Sequence, residues 1–439
     1  MTYTIEKITT LIGARRYGDR DSNVGFILTD SRSLCFPEET LFFALQSERN
    51  DGHNYIPELY RRGVRNFVVS QVPKGYASDY PEANFLKVVN TLEALQRLAE
   101  RHRDEFNIPI VGITGSNGKT MVKEWLHQLL SPELFVTRSP RSYNSQIGVP
   151  LSVWLLNEQT QLGVFEAGIS QPGEMLALRD IIQPTIAVLT YLGAAHQENF
   201  ESLEAKCREK IILFHDAETI VYNGDDETVS GVVNEYQDYK GEKLYWSFKD
   251  PQAPFFVKNV EKKGNLSIIT YIYKGEEDSY SLPFIDEASV TNSIIAAVVS
   301  RRLGLSAENL DKRMALLEPV AMRLEVKEGQ HGCTLINDSY NSDINSLDIA
   351  LDFMSRRPDH KGRRHTLILS DIFQSGESPK DLYREVSDLC RKRGVVKFIG
   401  IGPQLYEQSN EIQISEKFFF GNVEEFIDSE VFKSLRDEV

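Results

Sequence analysis

Short apolar runs recur along the chain, separated by polar turns and by longer stretches with helical periodicity. In the N-terminal part, runs of strand length alternate with patterns whose apolar residues lie three or four positions apart. The longest of these patterns predicts a helix over 91–105. The short runs predict strands at 25–28, 41–44, 66–69 and 85–88.

The same alternation continues through the middle and the end of the chain. Apolar runs at 164–167 and 186–190 predict buried strands between helices, which indicates a mostly parallel sheet covered on both faces. An antiparallel patch is predicted at 245–282, followed by a helix rich in small residues at 289–302. Further buried strands are predicted at 334–337, 366–369 and 396–400.

The chain has 439 residues, which is more than one hydrophobic core usually supports. We therefore predict an α/β protein of three domains, at 1–106, 107–317 and 318–439. The central domain is predicted to hold a P-loop-type, mostly parallel sheet with helices on both faces. The C-terminal domain is predicted to be Rossmann-like, because its strands and helices alternate again.

One segment carries a clear chemical signature. An apolar strand at 109–114 enters a glycine-rich turn, followed by Lys119, Thr120 and a helix predicted over 121–130. Glycines let backbone N–H groups converge on phosphate oxygens, a lysine supplies charge, and a hydroxyl can bind Mg²⁺. The candidate residues for nucleotide binding are Gly115, Ser116, Asn117, Gly118, Lys119 and Thr120.

The loop is a variant of the strict P-loop pattern, because Ile113 stands where that pattern has its first glycine. A glycine-rich turn with an unrelated lysine is the alternative interpretation, and the strand before the turn and the helix after it favour nucleotide binding.

Two further side chains follow apolar strands in the middle of the chain. Glu166 ends one such strand, where a carboxylate is costly unless it binds a metal or a cation. His196 follows another. Each has an ordinary structural alternative, a salt bridge for Glu166 and a solvated loop position for His196. Beside a phosphate loop, the pair favours a Mg-nucleotide site.

Composition narrows the class of protein. A net charge of -15 argues against nucleic-acid and anionic-membrane partners. No apolar run approaches the length of about 18 residues needed to span a bilayer, so we expect a soluble, cytoplasmic protein. The cysteines lack metal-ligand spacing, so we expect reduced thiols and no zinc at Cys35, Cys207, Cys333 and Cys390.

Several motifs, in a fixed order, give the chain a resemblance to the Mur ligase family over almost its whole length. The stretch 114–120 resembles the family's ATP loop, and Glu166 and His196 stand at its Mg²⁺-binding positions. Lys210 falls where such ligases carry a carbamylated lysine, which would support a second Mg²⁺. Asn292 stands at the adenine-binding asparagine.

The resemblance extends to the C-terminal part. Arg323 matches an interdomain arginine expected to reach the γ-phosphate when the domain closes, and Asp338 is expected to hold ribose or Mg-linked water. The same signature makes Tyr340 and Asn341 expected substrate contacts. It departs from the family pattern at Asn337, Ser342 and Asp343.

The N-terminal part resembles the family's UDP-sugar-binding domain. Ser31 and Arg32 are expected to contact the uridine diphosphate, and Ser47 replaces a common glycine. Within 139–150, which resembles the substrate loop, Asn144 is expected to bind substrate, whereas Ser145 replaces a frequent asparagine.

The resemblance implies an ATP- and Mg²⁺-dependent ligase that joins D-alanyl-D-alanine to UDP-N-acetylmuramoyl-tripeptide through an acyl phosphate. It further implies the ligase half of a bifunctional protein, with a fused alanine racemase beyond residue 439 and a truncated third domain. The alternatives are another Mur-type or folylpolyglutamate-type ligase, and a non-catalytic module that binds UDP-muramyl-peptide or ATP. The third residue of the tripeptide stays open between diaminopimelate and lysine.

Overall fold

The computed structural model describes residues 1–47, 50–193, 197–236, 239–320, 325–339, 344–356, 363–372 and 378–439. These residues divide into two compact units. The first unit comprises Met1–Gly112, Leu134–Ile169 and Gly173–Thr185, and the second comprises Ile113–Glu133, Ser170–Pro172 and Ile186–Val439. The division into three domains stays a prediction.

The chain alternates strands and helices, as the apolar pattern predicts. The helices are α1 Ile5–Leu11, α2 Ile56–Arg61, α3 Tyr76–Asp79, α4 Thr91–Arg103, α5 Lys119–Leu130, α6 Gly148–Val153, α7 Glu174–Ile182, α8 Leu203–Ile211, α9 Glu227–Glu235, α10 Glu287–Arg302, α11 Ala307–Met314, α12 Ile344–Arg356, α13 Pro379–Lys392, α14 Pro403–Glu407, α15 Val423–Asp428 and α16 Glu430–Lys433. The strands are β1 Tyr3–Thr4, β2 Arg15–Tyr17, β3 Asn23–Val24, β4 Phe26–Leu28, β5 Thr40–Phe43, β6 Asn66–Val69, β7 Asn84–Lys87, β8 Ile110–Thr114, β9 Val136–Arg138, β10 Leu162–Glu166, β11 Ile186–Leu189, β12 Thr219–Asn223, β13 Glu242–Ser247, β14 Phe255–Lys263, β15 Leu266–Tyr273, β16 Glu276–Leu282, β17 Glu325–Glu328, β18 Thr334–Asn337, β19 Thr366–Ser370, β20 Lys397–Ile401 and β21 Glu416–Phe420.

A five-stranded sheet organises the N-terminal part of the first unit, in the order β2-β7-β6-β5-β4. Its central strands pair in parallel, and β2 joins the edge antiparallel to β7. Strands β5 and β6 are buried along their whole length. Burial of both faces explains their continuous apolar sequences, which are typical of parallel sheets.

The largest sheet has nine strands in the order β16-β15-β14-β13-β12-β11-β8-β10-β9. The pairs β9/β10, β11/β12, β12/β13 and β13/β14 are parallel. The predicted antiparallel patch is therefore wrong over 245–247, because β13 is parallel to both neighbours. The antiparallel pairing begins with β14 and continues through β16.

Helices α5 and α10 supply much of the core of the second unit. The helix predicted over 121–130 is confirmed as α5, and its apolar residues Val122, Trp125, Leu126 and Leu129 are all fully buried. Small residues let α10 bury almost its entire circumference, from Ser289 to Ser300. The two helices contact each other. This packing fixes the start of α5, where the glycine-rich turn ends.

The C-terminal part of the second unit holds a parallel sheet, β19-β20-β21, and a separate antiparallel pair, β17-β18. The prediction of buried strands is wrong for β18 and β19, where Leu335 is 51% and Ile368 43% exposed. Both side chains line a cavity of about 420 Å³ between these strands. The backbone of Glu438 and Val439 pairs with residues of both strands.

The α/β class with a mostly parallel central sheet is confirmed. No helix among the described residues is long and apolar enough to cross a membrane. All four cysteines are free thiols; Cys207 and Cys390 are buried, and Cys35 is exposed.

A buried histidine near the end of α4 connects β1 to the segment after α6 within the first unit. His102 Nε2 lies 3.1 Å from the carbonyl of Leu156, and Nδ1 lies 2.8 Å from the Tyr3 hydroxyl. A carbonyl only accepts, so Nε2 carries the hydrogen and the Tyr3 hydroxyl donates to Nδ1. Burial lowers the pKa of His102 from 6.5 to about 4. The folded state therefore favours the neutral ring.

We predict that acidification weakens this region through His102. The stabilisation is complete above pH 6.5, where the histidine is neutral in both states, and is lost as the pH falls from 6.5 through about 4. The loss by pH 4 is about 3 kcal/mol. Urea unfolding of wild type and His102→Gln across this range measures it, and an equal pH slope in the two proteins would contradict the assignment.

Candidate functional site

The glycine-rich turn lies between β8 and α5, as the sequence predicts. Gly115 has φ +142 and Gly118 has φ +88, both in the region that disfavours side chains. The backbone can then turn sharply and start α5 at Lys119. The arrangement strand, turn and helix N-terminus is the geometry that binds phosphate groups.

The segment that follows β11 holds the turn in place. The Thr190 hydroxyl lies within hydrogen-bond distance of the Thr114 and Asn117 carbonyls. Ser116 Oγ donates to the Gly193 carbonyl at 3.1 Å and accepts from the Gly193 N–H at 2.9 Å. The sequence alone does not reveal the role of Thr190, because a threonine after a strand gives no signal of this contact.

Three lysines converge on the turn. Lys119 Nζ donates to the Gly115 and Ser116 carbonyls at 2.7 and 3.1 Å. Lys206 donates to the Gly193 carbonyl at 2.5 Å, and Lys210 lies 3.4 Å from the Gly115 carbonyl. The predicted Lys119 and Lys210 are thus brought together, and Lys206 is an addition. Lys206 lies four residues before Lys210 on α8, and this spacing, which places both side chains on one face of the helix, was the signal in the sequence that could have identified it.

Burial lowers the pKa of Lys210 well below its usual value, and the charges of Lys119 and Lys206 lower it further. The Lys210 side chain is only 3% exposed. A buried amine beside two cations is most stable without its proton. The surroundings therefore favour the neutral amine form of Lys210.

Two buried polar atoms, one at the end of β8 and one in the turn, have unsatisfied hydrogen-bonding capacity. Thr114 Oγ1 and Asn117 Nδ2 are buried and have no partner among the residues that the structure describes. Unsatisfied buried polar atoms are costly unless a ligand or water completes them. Their position in the turn fits a bound polar ligand.

Asn292 from α10 closes the far side of the turn. The side chain is 8% exposed, and its Nδ2 lies 3.3 Å from the Met121 sulfur. A Cβ on Gly118 would stand 2.4 Å from Asn292 Oδ1. The structure thus places the predicted base-binding asparagine directly against the end of the phosphate loop.

Glu166 and Asn144 lie in the first unit. Glu166 is the last residue of β10 and fully buried, and its N–H donates to Ser139 Oγ at 3.2 Å. The N–H of Gly168 donates to the Asn144 carbonyl at 2.8 Å. A Cβ on Gly168 would stand 2.9 Å from the Asn144 side chain. The Glu-Ala-Gly motif and the predicted substrate loop are therefore neighbours.

The N-terminal candidates lie on a short exposed turn. Asp30 accepts from the Arg32 backbone N–H at 3.0 Å and from its guanidinium at 2.6 Å. These hydrogen bonds lower the pKa of the Asp30 carboxyl. The Arg32 side chain is 88% exposed. Ser31 begins the turn. An oriented, solvent-facing guanidinium is suited to a phosphate oxyanion.

Several predicted site residues fall outside the described part of the chain: His196, Arg323, Tyr340 and Asn341. Asp338 follows β18 and lines the 420 Å³ cavity. Thr120 is the second residue of α5. Among the described residues, no three His, Cys, Asp or Glu side chains form a metal-binding group. The roles of all these residues stay predictions.

Known proteins share both the domain and the fold. Residues 113–300, which contain the phosphate loop, the three lysines and Asn292, match the Mur ligase middle domain. This part of the chain is therefore similar to the middle domain of the Mur ligases.

The relatives of this chain include ligases with a named substrate. The UDP-N-acetylmuramoyl-tripeptide--D-alanyl-D-alanine ligase of Bacillus subtilis is 27% identical over 366 residues, covering 82% of this chain and 76% of its own.

Solved structures of the same class share the fold. MurF from Acinetobacter baumannii matches with a TM-score of 0.83 at 21% identity, over 97% of this chain and 91% of its own. MurF from Thermotoga maritima, solved in complex with ADP, matches with a TM-score of 0.77 at 22% identity, over 94% and 92%.

We predict that Gly115→Ala destabilises the second unit by about 2 kcal/mol more than Gly304→Ala. Gly304 also has positive φ, at +96, but a Cβ there meets nothing within 4 Å. At Gly115 a Cβ would stand 2.1 Å from Thr190 Oγ1, so strain and a clash combine. Denaturant unfolding followed by circular dichroism compares the two variants, and equal losses would contradict the steric argument.

Proposed function

We propose that this protein is an ATP-dependent ligase that joins D-alanyl-D-alanine to UDP-N-acetylmuramoyl-tripeptide in peptidoglycan precursor synthesis. The observation that carries the proposal is a phosphate loop with three converging lysines, two of them buried, inside a segment that matches the Mur ligase middle domain. The similarity to the Bacillus subtilis ligase over 82% of the chain supports this choice of substrates.

The loop is suited to ATP. Its left-handed glycines and the start of α5 present backbone N–H groups, and Lys119 supplies a positive charge. Lys119 now contacts two loop carbonyls, and contact with a phosphate would replace these weaker bonds. Thr114 Oγ1 and Asn117 Nδ2 are polar atoms that a bound nucleotide can satisfy. The ADP complex of the Thermotoga maritima neighbour supports nucleotide binding by this fold.

Mg²⁺ prefers hard oxygen ligands, and the predicted ligand residues are of types that suit it. The Thr120 hydroxyl, the fully buried Glu166 carboxylate and a carbamate on Lys210 would provide such oxygens, with His196 as the predicted imidazole ligand. When bound, Mg²⁺ would neutralise the negative charge of the reacting phosphate groups.

The reaction has two steps. A carboxylate oxygen of the tripeptide attacks the γ-phosphorus of ATP, and the bond from this phosphorus to the β–γ bridging oxygen breaks. The products are an acyl phosphate and ADP, which departs. The amine of D-alanyl-D-alanine then attacks the acyl carbon, loses a proton, and inorganic phosphate leaves as the amide forms. Lys119 and the predicted Arg323 would reduce the repulsion between carboxylate and triphosphate.

The N-terminal candidates would bind the other end of the nucleotide-sugar substrate. Arg32, held by Asp30 and exposed to solvent, is proposed to pair with the diphosphate of UDP beside Ser31. Asn144, against the Glu-Ala-Gly motif, is proposed to position the peptide together with Tyr340 and Asn341.

Two alternative functions can be distinguished from this proposal by experiment. A folylpolyglutamate-type or other Mur-type ligase would share the loop and the lysines but accept different substrates. A binding module without turnover would retain affinity for UDP-muramyl-peptide or ATP. A cytoplasmic location and an alanine racemase fused beyond residue 439 also stay predictions.

We predict that inorganic phosphate is released from Mg-ATP only when UDP-muramyl-tripeptide and D-alanyl-D-alanine are both present. Lys119→Ala should lower the rate by about 100-fold or more, because the charge beside the loop is lost. Lys258→Ala is the matched control, since Lys258 is an exposed lysine of the same unit. A colorimetric phosphate assay measures the rate. Equal release with ATP alone, or an unchanged Lys119→Ala rate, would contradict the proposal.

Lys210 offers a second test, because a neutral buried amine can add to carbon dioxide. The amine nitrogen forms a bond to the carbon and loses a proton, which leaves an anionic carbamate. Lys119 and Lys206 would then stabilise an anion in place of a cation. The three-lysine cluster thus favours the carbamate over the ammonium form.

We predict a carbamate signal when the protein is equilibrated with isotope-labelled bicarbonate and observed by carbon NMR. Lys210→Met should remove the signal, whereas Lys206→Met, on the same helix and also buried, should retain a carbamylated Lys210. A signal that survives in Lys210→Met would refute the assignment.

A further inference from the structure

Asp286 has a carboxylate oxygen that no described residue hydrogen-bonds. It precedes α10, and its Oδ1 accepts from the Ser289 N–H at 2.8 Å as the helix cap. The residue is 1% exposed. Its second oxygen, Oδ2, is buried and has no hydrogen-bond partner within the described ranges of the chain. One oxygen suffices for capping, so the second invites another explanation.

Asp286 lines a cavity of about 230 Å³ in the second unit. The lining includes Asn117 and Gly118 of the phosphate loop, and Asn292 of α10. A nucleotide with its phosphates on the loop would therefore direct its other end toward this cavity. Its volume suits a single ring system better than a whole nucleotide, since sites for complete ligands are usually about 300 Å³ or larger.

The acidic residues in the cavity lining are Asp286, Glu287, Asp348 and Asp352. Asp286 is buried, whereas Glu287 is exposed. Arg393 lies 2.8 Å from the carboxylate of Asp348 and 2.5 Å from that of Asp352, so these acidic groups in the lining are paired with a cation. Burial raises the pKa of Asp286, against the hydrogen bonds from Ser289. A buried carboxylate oxygen of this kind gains most from a ligand that donates a hydrogen bond.

We propose that Asp286 Oδ2 accepts a hydrogen bond from the exocyclic amino group of adenine, and so selects ATP over triphosphates whose purine carries an oxygen there. The inference rests on the proposed function, since it assumes that ATP occupies the phosphate loop. A 6-oxo purine places an acceptor against the carboxylate, which leaves both groups without a donor and makes them repel.

Substitution at Asp286 can separate capping from base recognition. Asparagine and serine cap helices about as well as aspartate. In Asp286→Asn, the amide oxygen keeps the Ser289 N–H and the NH₂ group takes the place of Oδ2, which turns an acceptor into a donor. Asp286→Ser keeps the cap and removes the second oxygen.

The experiment compares the dissociation constants of ATP and inosine triphosphate by calorimetric titration of wild type and both variants, without the other substrates. Wild type should prefer ATP by about tenfold or more. The preference should vanish in Asp286→Ser and reverse in Asp286→Asn. A ribose hydroxyl as the donor would instead weaken both nucleotides equally, which would overturn the assignment to the base.

Two further outcomes keep the inference separate from the proposed function. A wild-type preference for ATP that both variants retain would overturn the inference alone. A protein that binds neither triphosphate would overturn the ATP-dependent function, and with it the premise of the inference. Thermal melting of the variants, expected to match wild type, shows that the cap is intact.

Discussion

The site depends on a backbone constraint, the left-handed conformation of Gly115 and Gly118 between β8 and α5. Any side chain at Gly115 would collide with Thr190, and one at Gly118 with Asn292. The turn can therefore form only where β11 and α10 both approach it without a Cβ between them. The same close contacts that exclude larger residues hold the loop rigid, and a rigid loop loses little entropy when it binds phosphate.

The second constraint on the site is electrostatic and comes from the three lysines around the turn. Lys119, Lys206 and Lys210 gather around carbonyl oxygens of one turn and its supporting segment, and two of them are buried. The charges of Lys119 and Lys206 would repel a proton charge on the buried Lys210, so the fold gives up stability to hold this cluster. A triphosphate, or a carbamate on one lysine, removes that repulsion. The cluster is therefore more stable with anions present, which links its structural cost to its proposed chemistry.

The sequence was sufficient for features that depend on local pattern. The bounds of β6 and β18, and the strand, turn and helix at the phosphate loop, were predicted because apolar runs and glycines determine them locally. The direction of β13 was wrong, because alternation along a strand does not encode the direction of its neighbours. Thr190, Lys206 and Asp286 were missed because tertiary contacts alone give them their roles. Each looks ordinary in the sequence.

The proposed binding of phosphate by the loop also explains why a base-selective residue must lie elsewhere. Backbone N–H groups and a lysine contact phosphates alone, and every nucleoside triphosphate carries the same phosphates. Discrimination between bases therefore needs a polar group at the other end of the ligand. The start of α10 supplies Asn292 and Asp286 there, within the same cavity as the end of the loop. An amide both donates and accepts, whereas a carboxylate accepts only. Of the two side chains, Asp286 is thus the one that can reject a ligand for lacking a donor.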